Sequence, residues 1–307
     1  MYYSITLYGR QIDDTDVKFP FISPNQFLYI DRKTHVEALS LKDGKWLYNT
    51  YSKMRSLNRK RRKYLEGALY RTIFDNSARV INLSAGEVLN LNVITQHNTV
   101  TTMMIFVEAN KHHPHLINCN RLGRELSKFR GNTCRQHCRD RGDMYIVGSG
   151  MKANKEIGIY HLTNVPSVQH AISAIVTSAA PYYVANGLSS IVQEIKENKK
   201  HICHEFMKNS FVSSITSSYN YVNASHVDVH DACEGIVTWT TENEAEIEDW
   251  YFVLPNVSMD GMRGTVIKLK HGITIKFDAR ILMHCTSGSA KSDLFNRYGT
   301  YFGCSKT

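Results

Sequence analysis

The stretch NASHVDVHDACEG, residues 223–235, sets His226, Asp228, His230 and Asp231 within six consecutive positions. Along an extended strand, residues two apart point to the same face, so His226 and Asp228 can enter one pocket and ligate one metal ion. His230 joins them only if the strand runs on. One His and one carboxylate are an incomplete site. A third ligand is available in His284, 58 positions after His226, within HGITIKFDARILMHCTSGS. Two histidines and a carboxylate on one face of a metal form the facial triad of non-haem Fe(II) oxygenases, which leaves coordination positions open for cosubstrate and oxygen. The plainer alternative makes His226 a turn cap, Asp228 and Asp231 parts of a solvated loop, and His284 a satisfied core histidine. The ordering of the set, with β-rich runs between its members and a Gly-led strand before the last His, favours the metal centre.

The elements that must position these residues are strands. From residue 211 onward the chain breaks into short β-rich runs separated by turn residues: FVSSITSSYNYV, EGIVTWTT, DWYFVLP, GTVIKLK, GITIKFD and ARILMHCT. In GITIKFD the apolar Ile273, Ile275 and Phe277 alternate with polar residues, as in a strand with one buried face. Val266, Ile267 and Leu269 populate the run before it, and Lys270-His271-Gly272 between the two predicts a hairpin. A jelly-roll barrel suits this spacing, because it brings sequence-distant strands side by side. Upstream, residues 167–206 carry apolar positions at helical spacing on both sides of Pro181. They predict two helices, the first capped by Ser167 and broken at or just before Pro181. The N-terminal 150 residues give a mixed α/β impression. The fold class expected is therefore α+β, one domain over residues 1–307, with a mixed N-terminal part (1–165) followed by helices and a β-core (166–307).

The order HVDVHD, FVLP, GTVIKLKHGITIKFDARILMHCTS resembles the double-stranded β-helix (jelly-roll) core of Fe(II)- and 2-oxoglutarate-type dioxygenases. Among these it looks most like the ten-eleven-translocation and base-J-binding-protein group, which oxidises the 5-methyl of pyrimidines in nucleic acid. The resemblance covers roughly residues 210 to 300. It implies Fe(II) held by His226, Asp228 and His284, and methylated DNA as the partner. An algal branch of the group carries a further aspartate three positions after the first and uses ascorbate in place of 2-oxoglutarate. Asp231 occupies that position, so both cosubstrates stay open. In 2-oxoglutarate users a basic residue past the last His grips the distal carboxylate, since a guanidinium fork matches its geometry. Arg297, Lys291 and Arg280 are the candidates; Arg280 shares a face with His284 if the intervening chain is extended. For the substrate, Asn223 and Ser225 adjoin His226 and can hydrogen-bond it. Tyr219, Tyr221 and Trp239 can either stack on an extruded base or fill the core.

Composition is consistent with this reading. The chain carries 37 Lys and Arg against 28 Asp and Glu, a net charge of +9, which attracts polyanions. Seven of those cations lie in SKMRSLNRKRRK (52–63) and seven more, against two acids, in residues 121–141. Such runs serve as phosphate-contacting arms, as nuclear-localisation signals or as solvated helix faces. The seven cysteines are odd in number and scattered, unlike a secreted disulfide scaffold, and no long apolar run marks a signal or membrane span. An intracellular, nuclear protein with reduced thiols and no membrane partner is expected. Cys134, Cys138, Cys119, His113 and His115 match no common zinc-finger spacing. Gly148-Ser149-Gly150 lacks the ending of a phosphate-binding loop and reads as a turn. Two further functions remain open: the same iron core acting on RNA, protein or a small molecule, and a barrel that binds nucleic acid without catalysis.

Overall fold

The computed structural model describes residues 2–9, 17–20, 26–30, 36–40, 45–49, 79–94, 100–129, 139–151, 157–199, 205–223, 227–228, 231–247, 250–254, 257–258, 265–282, 284–288 and 294–304. In chain order the strands are β1 (Tyr2–Gly9), β2 (Val17–Pro20), β3 (Gln26–Ile30), β4 (Val36–Ser40), β5 (Lys45–Asn49), β6 (Arg79–Ile81), β7 (Val88–Ile94), β8 (Val100–Val107), β9 (Arg139–Met151), β10 (Ile157–Ile159), β11 (Ser214–Asn223), β12 (Gly235–Thr241), β13 (Trp250–Leu254), β14 (Val257–Ser258), β15 (Thr265–Lys268), β16 (Ile273–Phe277), β17 (Cys285–Gly288) and β18 (Arg297–Phe302). The helices are α1 (Pro114–Ser127), α2 (Pro166–Ala185) and α3 (Ser189–Asn198).

Ten strands form one large sheet in the order β10-β9-β11-β18-β12-β16-β8-β7-β1-β14, and β17-β13-β15-β6 form a second. At the centre of the first, β11-β18-β12-β16 are antiparallel throughout, although β11 and β18 lie at opposite ends of the C-terminal region. In the second, β13 pairs antiparallel with both β15 and β17. From β12 to β18 successive strands alternate between the two sheets, which is the jelly-roll, double-stranded β-helix arrangement within an α+β chain. Strands β2 to β5 form a separate antiparallel meander.

Strand periodicity divides the core in two. On β18, Tyr298 and Phe302 turn toward the helices, whereas Arg297, Gly299 and Tyr301 turn toward the second sheet. The helix-side core joins Leu122 of α1, Ile172 and Ile175 of α2, Ile195 of α3 and Ile215 and Phe302 of the sheet. The core between the sheets gathers Leu91, Ile105, Trp239, Phe252, Ile267 and Ile275. Among the described residues, no helix is long and apolar enough to cross a membrane.

Several sequence expectations change. Helix α2 starts at Pro166, where a missing N–H costs nothing, and Val165, not Ser167, occupies the cap position. It runs through Pro181 and stops four residues later. Gly187, at φ +81°, ends it, with Leu188 N–H donating to the Tyr183 carbonyl and Gly187 N–H to Val184. A proline this near the end removes one hydrogen bond without redirecting the chain; the left-handed glycine does that. The expected hairpin at residues 270–272 is also absent. β15 belongs to the second sheet and β16 to the first, so the turn carries the chain across the sandwich. Leu269 N–H bonds the Trp250 carbonyl on one side and Gly272 N–H the Trp239 carbonyl on the other. Gly148-Ser149-Gly150 lies inside β9 and is not a turn.

Candidate metal centre

The space between the sheets opens into a cavity of about 620 Å³, its mouth included. It is lined by alternate residues of several strands: Val237 and Trp239 of β12, Gly299 and Tyr301 of β18 and Phe277 of β16 in the large sheet, with Phe252 of β13 facing them. Strand β11 contributes Thr216 and Ser218, then Tyr221 and Asn223. The change from even to odd positions marks a bulge. Register on β9 shifts between Tyr219 and Val222, and Asn220 takes φ +46°. An extra residue at this point turns Tyr221 and Asn223 inward, where an unbroken strand would present residues 220 and 222.

Asp228 and His284 both line this cavity, and Nε2 of His284 lies 3.8 Å from Oδ2 of Asp228. His284 is 7% exposed. Its ring stacks on Phe252 with centroids 5.5 Å apart and meets the edge of Phe277 at 4.9 Å. Nδ1 lies 2.9 Å from the Leu282 carbonyl, which can only accept; Nδ1 therefore carries a proton, and Nε2 is the nitrogen turned toward Asp228. Nε2 and a carboxylate oxygen thus face each other across the cavity, a pair of donors that a proton on Nε2 or a shared metal ion would satisfy. Asp228 is fixed through its backbone: its N–H donates to the Ala279 carbonyl at 2.8 Å and its own carbonyl accepts from Asp231 N–H at 3.0 Å. Val227 and Asp228 belong to no assigned strand. His226, His230 and Ser225 lie outside the described residues, and among the described ones no cluster of three metal-binding side chains forms.

The remaining candidates separate clearly. Asp231 is 4% exposed and accepts the Tyr301 hydroxyl at 2.5 Å. Asn223 accepts Thr286 N–H at 2.8 Å, tying the end of β11 to the strand that follows His284. Tyr219 does not line the cavity; its hydroxyl donates to Asn296 at 2.9 Å. Arg280 is a correction. Residues 279–282 form a turn instead of a strand, and the guanidinium forks onto Asp278 at 2.6 and 2.8 Å while a third nitrogen reaches the Ala232 carbonyl. That carboxylate raises the Arg280 pKa further above its ordinary value. A fork already closed on Asp278 does not serve a cosubstrate. Arg297, by contrast, is 2% exposed and extends the cavity face of β18 by one inward position beyond Gly299, with its guanidinium 5.5 Å from the Trp250 ring centre. Lys291, Cys134, Cys138 and the basic run 52–63 lie outside the described residues. His115 and Cys119 are wholly buried in a helix–sheet seam, with Sγ 3.5 Å from Nε2, the same nitrogen that meets the Tyr183 hydroxyl at 3.1 Å.

Residue types alone did not single out Tyr301, Ser218, Gly299 or Phe252. Strand alternation from Trp239, carried across the β12–β18 register, reaches Gly299 and Tyr301. That register becomes visible only once the fold is known.

No protein-family model matches the chain, and no curated protein does. Among solved structures it is similar to NgTET1 in complex with 5mC DNA, at 14% identity and TM-score 0.48, over 81% of this chain and 92% of the other. A Pseudomonas putida prolyl-4-hydroxylase aligns at 8% identity and TM-score 0.41, over 66% and 92%. An oxidoreductase of the 2OG-Fe(II) oxygenase family from Burkholderia pseudomallei aligns at 10% identity and TM-score 0.27, over 63% and 93%.

Proposed function

We propose that the chain is an Fe(II)-dependent dioxygenase that oxidises the 5-methyl group of 5-methylcytosine, or of thymine, in DNA. The observation that carries this reading is the convergence of His284 Nε2 and Asp228 in one cavity, with His226 two residues before Asp228 in sequence. His226, Asp228 and His284 would hold the ion. Bound iron supplies the activation of dioxygen that hydroxylation of a C–H bond requires.

The chain's own residues do the rest. The Leu282 carbonyl holds His284 in the tautomer that ligates, and Phe252, Phe277 and Val237 keep that side of the cavity dry. Arg297, buried on the face that Gly299 and Tyr301 turn to the cavity, suits the distal carboxylate of 2-oxoglutarate, and this favours 2-oxoglutarate over ascorbate. Tyr221 and Trp239 present aromatic surface on which an extruded base can stack, while Asn223 closes the end of β11 beside Thr286. Extrusion costs a few kcal/mol, which basic segments gripping the backbone offset.

Nucleoside mass spectrometry tests this directly. Purified protein is incubated with Fe(II) and 5-methylcytosine DNA, supplied with 2-oxoglutarate alone or with ascorbate alone, beside a His284→Ala control. Gain of one oxygen atom that needs 2-oxoglutarate and His284 supports the reading. A heavier adduct that needs only ascorbate would transfer the cosubstrate role from Arg297 to Asp231. No product with either cosubstrate, from protein that binds the metal, would overturn the substrate assignment.

A further inference from the structure

Tyr301 has no assigned role, yet it touches both the cavity and Asp231, the residue whose N–H meets the Asp228 carbonyl. Its ring lines the cavity, and its hydroxyl donates to Asp231 Oδ2 at 2.5 Å. Asp231 N–H in turn donates to the Asp228 carbonyl at 3.0 Å, which ties the backbone of the two residues together. Asp231 is buried, so its carboxylate needs strong partners, and a phenol O–H on a charged oxygen is a short, charge-assisted bond. The surroundings are shaped for this contact. A Cβ on Gly235 or on Gly303 would overlap the Tyr301 ring or hydroxyl, so two glycines leave the notch in which the phenol reaches Asp231. β18 is held on both sides, by β11 and by β12, which makes it a rigid anchor for Asp231.

The geometry points to Tyr301 as a positioning residue for the metal centre: its hydroxyl holds Asp231, whose backbone N–H holds the carbonyl of Asp228. This rests on the metal-binding reading above. It also gives Asp231 a supporting task, distinct from contact with a cosubstrate. Outer partners that orient a ligand typically change metal affinity 10- to 100-fold.

The test uses Mn(II) as the probe, titrated into the whole metal-free chain and followed by electron paramagnetic resonance, alongside the melting temperature of the metal-free protein. Tyr301→Phe deletes only the hydroxyl. It is expected to weaken Mn(II) roughly 10-fold while the metal-free melting temperature stays close to wild type. Asp231→Asn keeps the shape of the acceptor but removes its charge, and is expected to weaken Mn(II) in the same direction. Adding Tyr301→Phe to Asp231→Asn should then cost much less than it does alone, because the two act in series. Unchanged Mn(II) affinity in Tyr301→Phe, or a full additive loss in the double variant, overturns the proposal. Asp228→Ala and His284→Ala separate the two readings. If either leaves Mn(II) binding intact, or wild type does not bind, the metal centre itself fails. If both abolish binding while Tyr301→Phe does not weaken it, only the positioning role fails.

Discussion

His284 packs between Phe252 and Phe277 with Nδ1 on the Leu282 carbonyl, and it is the proposed ligand. His284→Ala should abolish product and Mn(II) binding, and a circular dichroism spectrum unchanged from wild type would confirm that the fold survives. Arg297→Lys keeps the charge but loses the planar fork that matches a carboxylate. It should raise the KM for 2-oxoglutarate by roughly 10-fold, about 1.4 kcal/mol, with Mn(II) affinity unaltered; an unchanged KM would remove Arg297 from the site. His115 governs a different property. Burial, aided by the charge of neighbouring His113, lowers its pKa from 6.5 to about 3. The folded state then refuses a proton that the unfolded chain accepts. Stability contributed by neutral His115 is complete above pH 6.5 and falls by about 1.4 kcal/mol per pH unit between there and pH 3. Urea midpoints measured from pH 7 to pH 5 should drop for wild type, by about 2 kcal/mol at pH 5, and much less for His115→Gln. At this scale the sequence nominated His226, Asp228 and His284 because few residue types ligate iron and their spacing was strand-like; the structure brings Asp228 and His284 into one cavity, and His226 lies outside the described residues. Tyr301 could not be nominated in this way, because tyrosines are common in strands and its importance comes from the carboxylate it meets.

Strands β11 to β13 and β15 to β18 differ in how far alternation revealed them. Five of the six β-rich runs from residue 211 hold strands β11, β12, β13, β15 and β16, whereas ARILMHCT is a turn at residues 279–282 and strand only from Cys285. Strands β12, β13 and β16 are buried on both faces, so their β-branched and aromatic content marked them more than alternation did. Which sheet each strand joins is not a local property. The run 265–277 looked like a hairpin because two strands flank a glycine turn, but β15 and β16 satisfy their hydrogen bonds in opposite sheets. The bulge at Asn220 was equally hidden, and without it the inward set of β11 would be wrong by one residue. For α2, proline was the obvious breaker, yet Gly187 is the residue whose backbone departs from the helix. Gly187→Ala should therefore destabilise the protein by roughly 1–2 kcal/mol, the cost of placing an L-residue in the left-handed region. Urea unfolding measures this; a loss at Pro181→Ala larger than at Gly187→Ala would reverse the assignment.

The whole chain carries nine more positive than negative side chains, and a DNA complex held by phosphate contacts must weaken with salt. With six or more such contacts, affinity should fall by roughly a thousandfold between 50 and 200 mM salt, read by fluorescence anisotropy. His284→Ala should show the same slope, since the proposed metal ligands lie apart in sequence from the basic runs proposed to grip the backbone. A salt-independent complex would argue against DNA as the partner. The jelly roll itself was legible from the distance between Asp228 and His284 and the β-runs between them, whereas the ten-strand breadth of the large sheet was not, because β1, β7 and β8 come from the half with no clear pattern. In that sheet β18, last of the strands in sequence, sits between β11 and β12, which precede it by decades of residues. During synthesis those two strands must wait with bare edges until residue 302 has left the ribosome, so the barrel closes only after translation has passed it. Until then the nascent chain offers two unpaired edges to its neighbours, and a holding chaperone during that interval would do more for the yield of folded protein than added metal.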